Sequence, residues 1–238
     1  MTGVTMTFWD HISELRSRLI KVSLAILLGT ILGFVFHQTL LDVLLVPYKE
    51  AVGPDAGLAT FRPTEAFSVV MRVSLFGGLF LASPVVIYHI WRFVSPAMTR
   101  RERRYVIPAS LILAVLFFSG VLLGYWSLER GLGFLLGFGG DDLTPVIQAD
   151  AYINFALRFV LAFGIAFEFP VFLFAAAATG AVPSQRLRDG RRWAVVIILV
   201  GAAFLTPSGD PLTLLLLSGP LYLMYEGTIL AIRWLLKK

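Results

Sequence analysis

The sequence predicts an all-α integral membrane protein with six transmembrane helices, of which the last two are short. Three observations support this fold class. Apolar residues make up 58% of the 238 residues and charged residues only 15%, where about 25% charged is usual for soluble domains. Long apolar segments recur along the chain, and basic residues collect in alternate loops between them. A water-soluble globular enzyme of this size could not bury so much apolar surface.

The apolar segments define the expected spans. A helix needs about 20 apolar residues to cross a hydrocarbon core of about 30 Å. Four segments reach this length, and two later ones are shorter. The predicted spans are 19–41, 68–91, 105–128, 151–179, 193–205 and 212–230. The fifth has only 13 residues, or about 20 Å of helix, so it either thins the bilayer locally or forms a shallow hairpin with the sixth.

The spans are expected to form a single polytopic domain over residues 1–238, because no repeat or low-complexity tract divides the chain. Pro84 and Pro220 fall inside spans, and prolines there kink helices and allow a curved, concave bundle. The two longest loops that precede the second and fourth spans, 37–63 and 129–150, are long enough to fold as a small external cap.

Two glycine pairs have the spacing of a close helix contact. Gly29 and Gly33 lie in the first predicted span, and Gly120 and Gly124 lie in the third. Small residues four apart let helix backbones approach each other in a membrane. We therefore expect each pair to mark a contact within the bundle.

The distribution of Lys and Arg predicts the orientation of the chain. Fifteen of them lie in the N-terminal segment, the second and fourth loops and the C-terminal segment. The opposite set of loops has three, namely Lys49, Arg62 and Arg130. Because cytoplasmic loops carry the excess of basic residues, we expect a multi-pass protein of the inner, cytoplasmic membrane with both termini in the cytoplasm.

Several classes of soluble function are excluded by what the sequence lacks. There is no cysteine, no G-x-x-x-x-G-K-[ST] loop and no H-E-x-x-H motif among the three scattered histidines. These motifs would hold iron–sulfur clusters, nucleotide phosphates or catalytic zinc. Aromatic residues in the basic loops lie at the expected bilayer boundary, as in an aromatic belt. We therefore predict no enzyme, no cofactor, no metal and no nucleic-acid partner.

Glu14 precedes the first predicted span on an amphipathic segment. An i,i+4 ion pair with Arg18, worth about 0.3–0.5 kcal/mol, is one interpretation. A carboxylate that faces a cationic partner segment is the other. The spacing of residues leaves both interpretations open.

Glu102 is the only acidic residue between Met98 and Tyr105. Thr99 followed by Glu102 matches a capping box, which would open the third span. A ligand-binding role is the alternative, and the two are compatible because a capping carboxylate keeps free lone pairs.

Glu168 lies deep within the fourth predicted span. A charged residue at such a depth costs about 2.5–3.5 kcal/mol on insertion scales, so a functional role is the default hypothesis. Arg158 is ten residues away, about 15 Å along a helix axis, and is too far to pair with it. Pro170 follows closely and predicts a kink. The structural alternative is a protonated Glu168 that bonds to a neighbouring helix.

Several motifs, in order, resemble the C subunit family of the twin-arginine protein translocase. They are HISELRSRL at 11–19, PTEAF at 63–67, SPVVIYHIWRFVSP at 83–96, ER at 102–103, FEFP at 167–170, LTP at 205–207 with Asp210, and LYLMYE at 221–226. The resemblance covers about residues 8–232. It departs from the family in the turn at 206–210, which is one residue longer than T-P-P-D, and at Leu214, where Gln is common.

The resemblance implies a curved six-helix receptor for signal peptides that carry two adjacent arginines. The family exports folded proteins in an oligomeric complex with single-span A- and B-type subunits, and the proton-motive force drives this export. Matching positions imply that signal peptides bind near the cytoplasmic face through Glu14, Arg16, Arg18, Phe93 and Glu102. Glu168 matches the family's intramembrane glutamate, and Asp210 matches the acid of the last external turn.

A secondary transporter for a small solute is the rival from another functional class. In that interpretation Glu168 would carry protons. Such transporters have inverted repeats and discontinuous helices at the bilayer midplane, and the sequence predicts neither.

Overall fold

The computed structural model describes residues 8–94, 106–138, 140, 146–178, 180 and 182–236. Across these residues the chain is α-helical, and the sole β-type pairing is one isolated bridge. The helices in chain order are α1 (Phe8–Val35), α2 (His37–Val52), α3 (Glu65–Val94), α4 (Val106–Gly137), α5 (Ala149–Ala166), α6 (Phe169–Ala178), α7 (Ser184–Asp189), α8 (Arg191–Leu205) and α9 (Pro211–Leu236).

Within the described residues, five stretches are long and apolar enough to cross a membrane. They are Ile12–Val35, Glu65–Phe93, Ile107–Gly137, Ala149–Ala178 and Pro211–Trp234. The predicted all-α membrane fold is therefore confirmed. The remaining predicted span is α8, whose 15 residues correspond to about 22 Å of helix. α9 has 26 residues and ends six residues past the predicted boundary, because apolar residues continue on both sides of Arg233.

The first predicted external loop is largely helical. α1 ends at Val35 and, after a turn at Phe36, the chain continues as α2 to Val52. The first span therefore ends at Val35, earlier than the predicted 41, and residues 37–52 of the predicted external loop are a helix. The side chains of Leu44 and Tyr48 on α2 are buried. This burial stabilises α2 as a helix although it lies outside the long apolar stretch of α1.

The two predicted external loops meet in a small cap. Ala59 forms a parallel bridge with Gln148. The Ala59 N–H donates to the Ile147 carbonyl (3.0 Å), and the Ala149 N–H donates to the Ala59 carbonyl (2.9 Å). Residues that are almost ninety positions apart are thus joined through their backbones, as the cap prediction requires.

Tyrosines from two helices fix α2 in this cap. Pro47 has no N–H, so the carbonyl of Val43 lacks its usual helical partner. The Tyr125 hydroxyl donates to that carbonyl at 2.8 Å. The buried Tyr152 hydroxyl donates to the neighbouring Leu44 carbonyl at 2.5 Å. The proline therefore creates an acceptor that the fold uses.

Prolines also shape the predicted spans. Pro84 leaves the Phe80 carbonyl without a helical donor, and the Ser83 hydroxyl donates to it at 2.7 Å. α3 consequently continues through the proline. Near Pro170 the helix instead breaks, because Phe167 and Glu168 form a turn between α5 and α6. The kink predicted beside Glu168 is confirmed.

The described chain divides into two compact units. The first contains Met1–Asp42 and Phe67–Val115, and the second contains Val43–Ala66 and Leu116–Lys238. Whether these units act as the single predicted domain stays a prediction.

In the first unit, α1 and α3 approach at the first glycine pair. A methyl group added at Gly29 would lie 2.6 Å from the Gly78 carbonyl oxygen, and one at Gly33 would lie 2.5 Å from that of Ser74. Gly33 follows Gly29 by four residues, whereas its partner Ser74 precedes Gly78 by four. The two helices are therefore antiparallel. The predicted contact is confirmed.

In the second unit, the other glycine pair lies where α4 meets α5. A methyl group at Gly120 would lie 2.5 Å from the Phe163 carbonyl oxygen, and one at Gly124 would lie 2.8 Å from the Phe163 Cβ. The contact is reciprocal, because Gly164 on α5 approaches Phe117 on α4. α9 packs against α6, α7 and α8 in the same unit.

Candidate functional site

The first candidate site lies where α1 begins and α3 ends. Continued toward the start of α1, the antiparallel register of the glycine contact predicts that Arg18 lies near His89 and Glu14 near Phe93. The positive charge of Arg18 acts on the His89 ring, in agreement with this register. Residues from two distant parts of the sequence therefore meet at one end of the first unit.

Glu14 and Arg18 form the ion pair that their spacing predicts. The Arg18 Nε–H donates to Glu14 Oε1 at 3.1 Å, and the Nη2 group contacts the same oxygen. The side chains are only 23% and 12% exposed, respectively. The other carboxylate oxygen of Glu14 is buried and has no hydrogen-bond partner among the described residues. The ion pair thus occupies half of the carboxylate.

His89 is a neighbour that the sequence reasoning missed. Its Nδ1 atom is buried and, within the described part of the chain, has no hydrogen-bond partner. Three cations, Arg18, Lys21 and Arg92, act electrostatically on the ring. The signal in the sequence was the position of His89 two residues before Trp91, within the longest motif of the family resemblance.

Arg92 is held against Tyr88 on the last turns of α3. Its Nη1 group donates to the Tyr88 hydroxyl at 2.5 Å, and its guanidinium carbon lies 5.8 Å from the centre of the Tyr88 ring. Phe93 is half-buried beside them, whereas Arg16 is exposed on α1. Glu102 lies outside the described residues.

The second candidate site is Glu168, at the break between α5 and α6. Both carboxyl oxygens are buried, and neither has a hydrogen-bond partner among the residues described. The break follows from the local backbone, since the Glu168 N–H donates to Ile165 (3.1 Å) rather than four residues back. The structural alternative, a bond to a neighbouring helix, finds no partner within the described chain.

Asp210 caps the start of α9. Its Oδ1 accepts the Thr213 N–H at 2.8 Å, and its Oδ2 accepts the Thr213 hydroxyl at 2.5 Å. Ser208 approaches the same hydroxyl at 2.9 Å. Gly209 has a φ of +62°, a left-handed conformation that glycine adopts without strain. The longer turn is thereby accommodated.

Glu65 is a further buried carboxylate, for which the sequence predicted no site. It accepts N–H groups from Phe61 (2.9 Å), Arg62 (3.3 Å) and Asp150 (3.1 Å). These bonds cap α3 and tie its first residue to the predicted external loop 129–150. The spacing of Arg62 and Glu65 was a signal for the local bonds, but the bond to Asp150 spans 85 positions.

A family model described as "TatC: Sec-independent protein translocase protein (TatC)" matches residues 10–220. This chain belongs to the TatC family. The predicted membership of the twin-arginine translocase C subunit family is confirmed.

Two relatives illustrate how much of the chain the similarity covers. The Sec-independent protein translocase protein TatC of Aquifex aeolicus is 38% identical over 227 residues, which cover 94% of this chain and 93% of that protein. The protein of the same description from Desulforapulum autotrophicum is 36% identical over 233 residues, with coverage of 97% and 86%. The similarity to TatC proteins therefore extends along almost the whole chain.

The fold comparison gives the same result. A crystal structure of "Twin Arginine Translocase Receptor- TatC in DDM" matches with a TM-score of 0.79 and 38% identity. The match covers 93% of this chain and 98% of that one. Membership of this translocase family makes the TatC chain a multi-pass membrane component of a protein translocase rather than an enzyme.

Proposed function

We propose that this TatC chain is the signal-peptide receptor and core subunit of a twin-arginine translocase in the inner membrane. In this role it binds the adjacent arginines of signal peptides at the cytoplasmic face. Single-span A- and B-type subunits join it in an oligomeric complex. The complex exports folded proteins, and the proton-motive force supplies the energy.

The free oxygen of Glu14 is the observation that carries this proposal. Oε2 is a buried acceptor that no described residue supplies with a donor, which is costly unless a ligand supplies one. A guanidinium group brings five N–H donors in a planar fork and pairs well with carboxylates. Arg18 already holds Oε1 and orients the carboxylate. An incoming arginine can therefore bind Oε2 without displacing Arg18.

The surroundings of Glu14 favour selective binding of paired arginines over strong binding of any single cation. Arg16, Arg18 and Lys21 lie on the same helix, so a single diffuse cation meets repulsion there. Two adjacent arginines need two acceptors. The neutral form of His89 offers a buried acceptor at Nδ1, and the family match supplies Glu102 as a second carboxylate. Together they account for a preference for paired arginines.

Glu168 supports the role of the partner subunits. Its carboxyl oxygens are buried without partners in the described chain, and no other acidic residue lies on α5 within the apolar stretch. An isolated group of this kind cannot relay protons along its own helix. We infer that a polar residue of a single-span subunit docks on Glu168.

Peptide binding tests the receptor role. Purified protein is titrated with a fluorescent signal peptide that carries two arginines, and binding is measured by anisotropy. Loss of a charged hydrogen bond costs about 1.5–3 kcal/mol, so Glu14→Gln is expected to weaken binding by about 10- to 100-fold. Glu102→Gln should act in the same direction, and a Lys-Lys peptide should bind poorly to the wild type.

Glu129→Gln is the matched control. Glu129 is half-exposed, and its ion contact with Arg130 is loose at 3.8 Å, so this variant should bind the peptide like the wild type. Circular dichroism confirms that each variant is folded. Unchanged binding by a folded Glu14→Gln protein would leave the Arg18 ion pair as the whole role of Glu14 and would overturn the proposal.

A further inference from the structure

The corner between α7 and α8 carries exposed arginines that form no ion pair with any residue the structure describes. Arg186 and Arg188 lie on α7, and Arg192 lies on the first turn of α8. We call these three residues the arginine corner. All three are exposed, and the only acidic residue between them, Asp189, accepts a long bond from Gln185 (3.4 Å). The corner therefore has a net positive charge.

Two contacts hold the corner in place on α9. The Tyr225 hydroxyl donates to the Leu187 carbonyl at 2.6 Å, and the Leu187 side chain is buried. Arg191 binds Glu226 in a bidentate manner, with Nε–Oε1 at 2.8 Å and Nη2–Oε2 at 2.9 Å. Glu226 thus neutralises the charge of Arg191, whereas no described acidic residue forms an ion pair with the three arginines of the corner.

These contacts also fix the distance between the corner and the turn that precedes α9. Asp210 marks the turn before α9, and Glu226 is sixteen residues further on, about 24 Å along the helix. A hydrocarbon core is about 30 Å thick. α9 itself continues ten residues beyond Glu226 to Leu236. In the predicted orientation, with Asp210 at the external surface, arginines at the level of Glu226 are therefore closer to that surface than the inner headgroups of an unperturbed bilayer.

The surface beside the corner is apolar. Trp193 is 72% exposed, and Val196 and Ile197 on the next turn of α8 are also exposed. An indole ring in this setting prefers the membrane interface. A ligand that covers both regions must place negative charge on the arginines and hydrocarbon on α8. An anionic phospholipid has this combination, whereas an acidic peptide supplies only the charge.

We propose that the arginine corner binds the headgroup of an anionic phospholipid, whose acyl chains cover the exposed face of α8. The lipid phosphate is drawn inward to the arginines, and the leaflet is thinned there to match the short helix. This role is separate from the receptor site on α1 and α3, so either proposal can fail alone.

Quenching of Trp193 tests the proposal on the full chain. The protein is reconstituted in phosphatidylcholine vesicles that contain headgroup-spin-labelled phosphatidylglycerol or phosphatidylcholine at equal fraction. The difference between wild type and Trp193→Phe isolates the signal of Trp193. Basic residues near an anionic surface each strengthen lipid binding by about fivefold. We expect phosphatidylglycerol to quench Trp193 at least about fivefold more efficiently than phosphatidylcholine.

Charge variants assign this preference to the corner. The triple variant R186Q/R188Q/R192Q should lose it. The matched control K49Q/R62Q/R130Q removes three exposed charges outside the corner and should keep the preference for phosphatidylglycerol. Lysine replacements R186K/R188K/R192K retain the charge and should keep most of it. If the triple glutamine variant does not fold, the single variant R192Q takes its place and should weaken the preference for phosphatidylglycerol. The comparison of the two lipids in the wild type is unaffected.

Three outcomes would overturn the proposal. Equal quenching by the two lipids in the wild type would exclude headgroup selectivity. An unchanged preference in the folded corner variant, or an equal loss in the control, would place the selectivity elsewhere. Displacement of the lipid by inorganic phosphate or by an acidic peptide at comparable concentration would make the corner a general anion or protein site.

Discussion

Asp210 holds the first turn of α9 through bonds that depend on its carboxylate. Removal of an N-cap side chain typically costs about 1 kcal/mol. We therefore expect Asp210→Ala to lower the free energy of unfolding by about that amount in detergent. Asp210→Asn keeps an acceptor for the Thr213 N–H and should lose less. Asp55→Ala changes an exposed aspartate outside the helices and should have no measurable effect.

The same carboxylate gives the stability a pH dependence. Burial acts to raise the pKa of Asp210, but hydrogen bonds from Ser208 and Thr213 outweigh it and hold the pKa below its ordinary value. The stabilisation is complete above the unfolded pKa of about 3.9 and is lost as the pH falls through the folded pKa. The stability gap between wild type and Asp210→Ala should therefore narrow in acid. A stability difference between the two proteins that stays constant as the pH falls below about 3.9 would contradict a stabilising role for the Asp210 carboxylate.

Substitutions at Glu168 separate partner docking from proton transfer. Glu168→Gln keeps the size of the side chain and a hydrogen-bond donor, so the complex with single-span subunits and much of the transport should survive. Glu168→Ala should disrupt assembly, measured by co-purification of those subunits, while twin-arginine peptide binding persists. Loss of transport in an intact Glu168→Gln complex would instead favour the proton-carrier interpretation.

Local spacing predicted individual side-chain contacts well and missed the distant ones. The Glu14–Arg18 pair follows from four-residue spacing on one helix. The bond from Asp150 to Glu65 joins residues 85 positions apart, and no periodic pattern encodes that separation. His89 was missed for a related reason. Its place beside Arg18 depends on the antiparallel register of α1 and α3, which only the packed helices define.

Helix contacts at glycine give a prediction at the level of the element. Gly120 on α4 has no room for a side chain against the Phe163 backbone. Forcing bulk into a packed interface typically costs about 1–3 kcal/mol. We expect Gly120→Leu to lower the free energy of unfolding by at least that much. Denaturation of the purified protein in detergent provides the measurement.

Gly133 supplies the control on the same helix. It faces open space, with nothing within 4 Å of an added Cβ. Gly133→Leu should therefore be neutral or slightly stabilising, since leucine has the better helix propensity. Equal destabilisation by both substitutions would indicate that loss of glycine, rather than the close contact with α5, is responsible.

Apolar length predicted the membrane helices, but polar backbone chemistry decided their ends and breaks. α2 lies in the segment predicted as the first external loop, where apolar length gave no helix. Burial of Tyr48 and the hydroxyl donated by Tyr125 to Val43 stabilise it as a helix. Pro84 and Pro170 look alike in sequence. The Ser83 hydroxyl replaces the bond that Pro84 removes, whereas the helix breaks just before Pro170.

At the level of the whole molecule, charge asymmetry and the proposed function require the same orientation. The receptor site must face the side where signal peptides are made. Fifteen of the Lys and Arg residues belong to the loops and termini predicted for that side, against three in the opposite loops. The arginine corner belongs to the same set, so the proposed lipid headgroup is one of the inner leaflet, which carries anionic lipids.

Cysteine accessibility can measure this orientation directly, because the natural chain has no cysteine. Single cysteines at Arg16 and Arg233 should react with a membrane-impermeant reagent only after the membrane is opened, since both lie on the predicted cytoplasmic side. Cysteines at Lys49 and Asp55, in the segment of the cap, should react in intact cells. Glu102→Cys should behave like the first pair. Its labelling from outside would invert the topology and remove Glu14 from the compartment in which signal peptides are recognised.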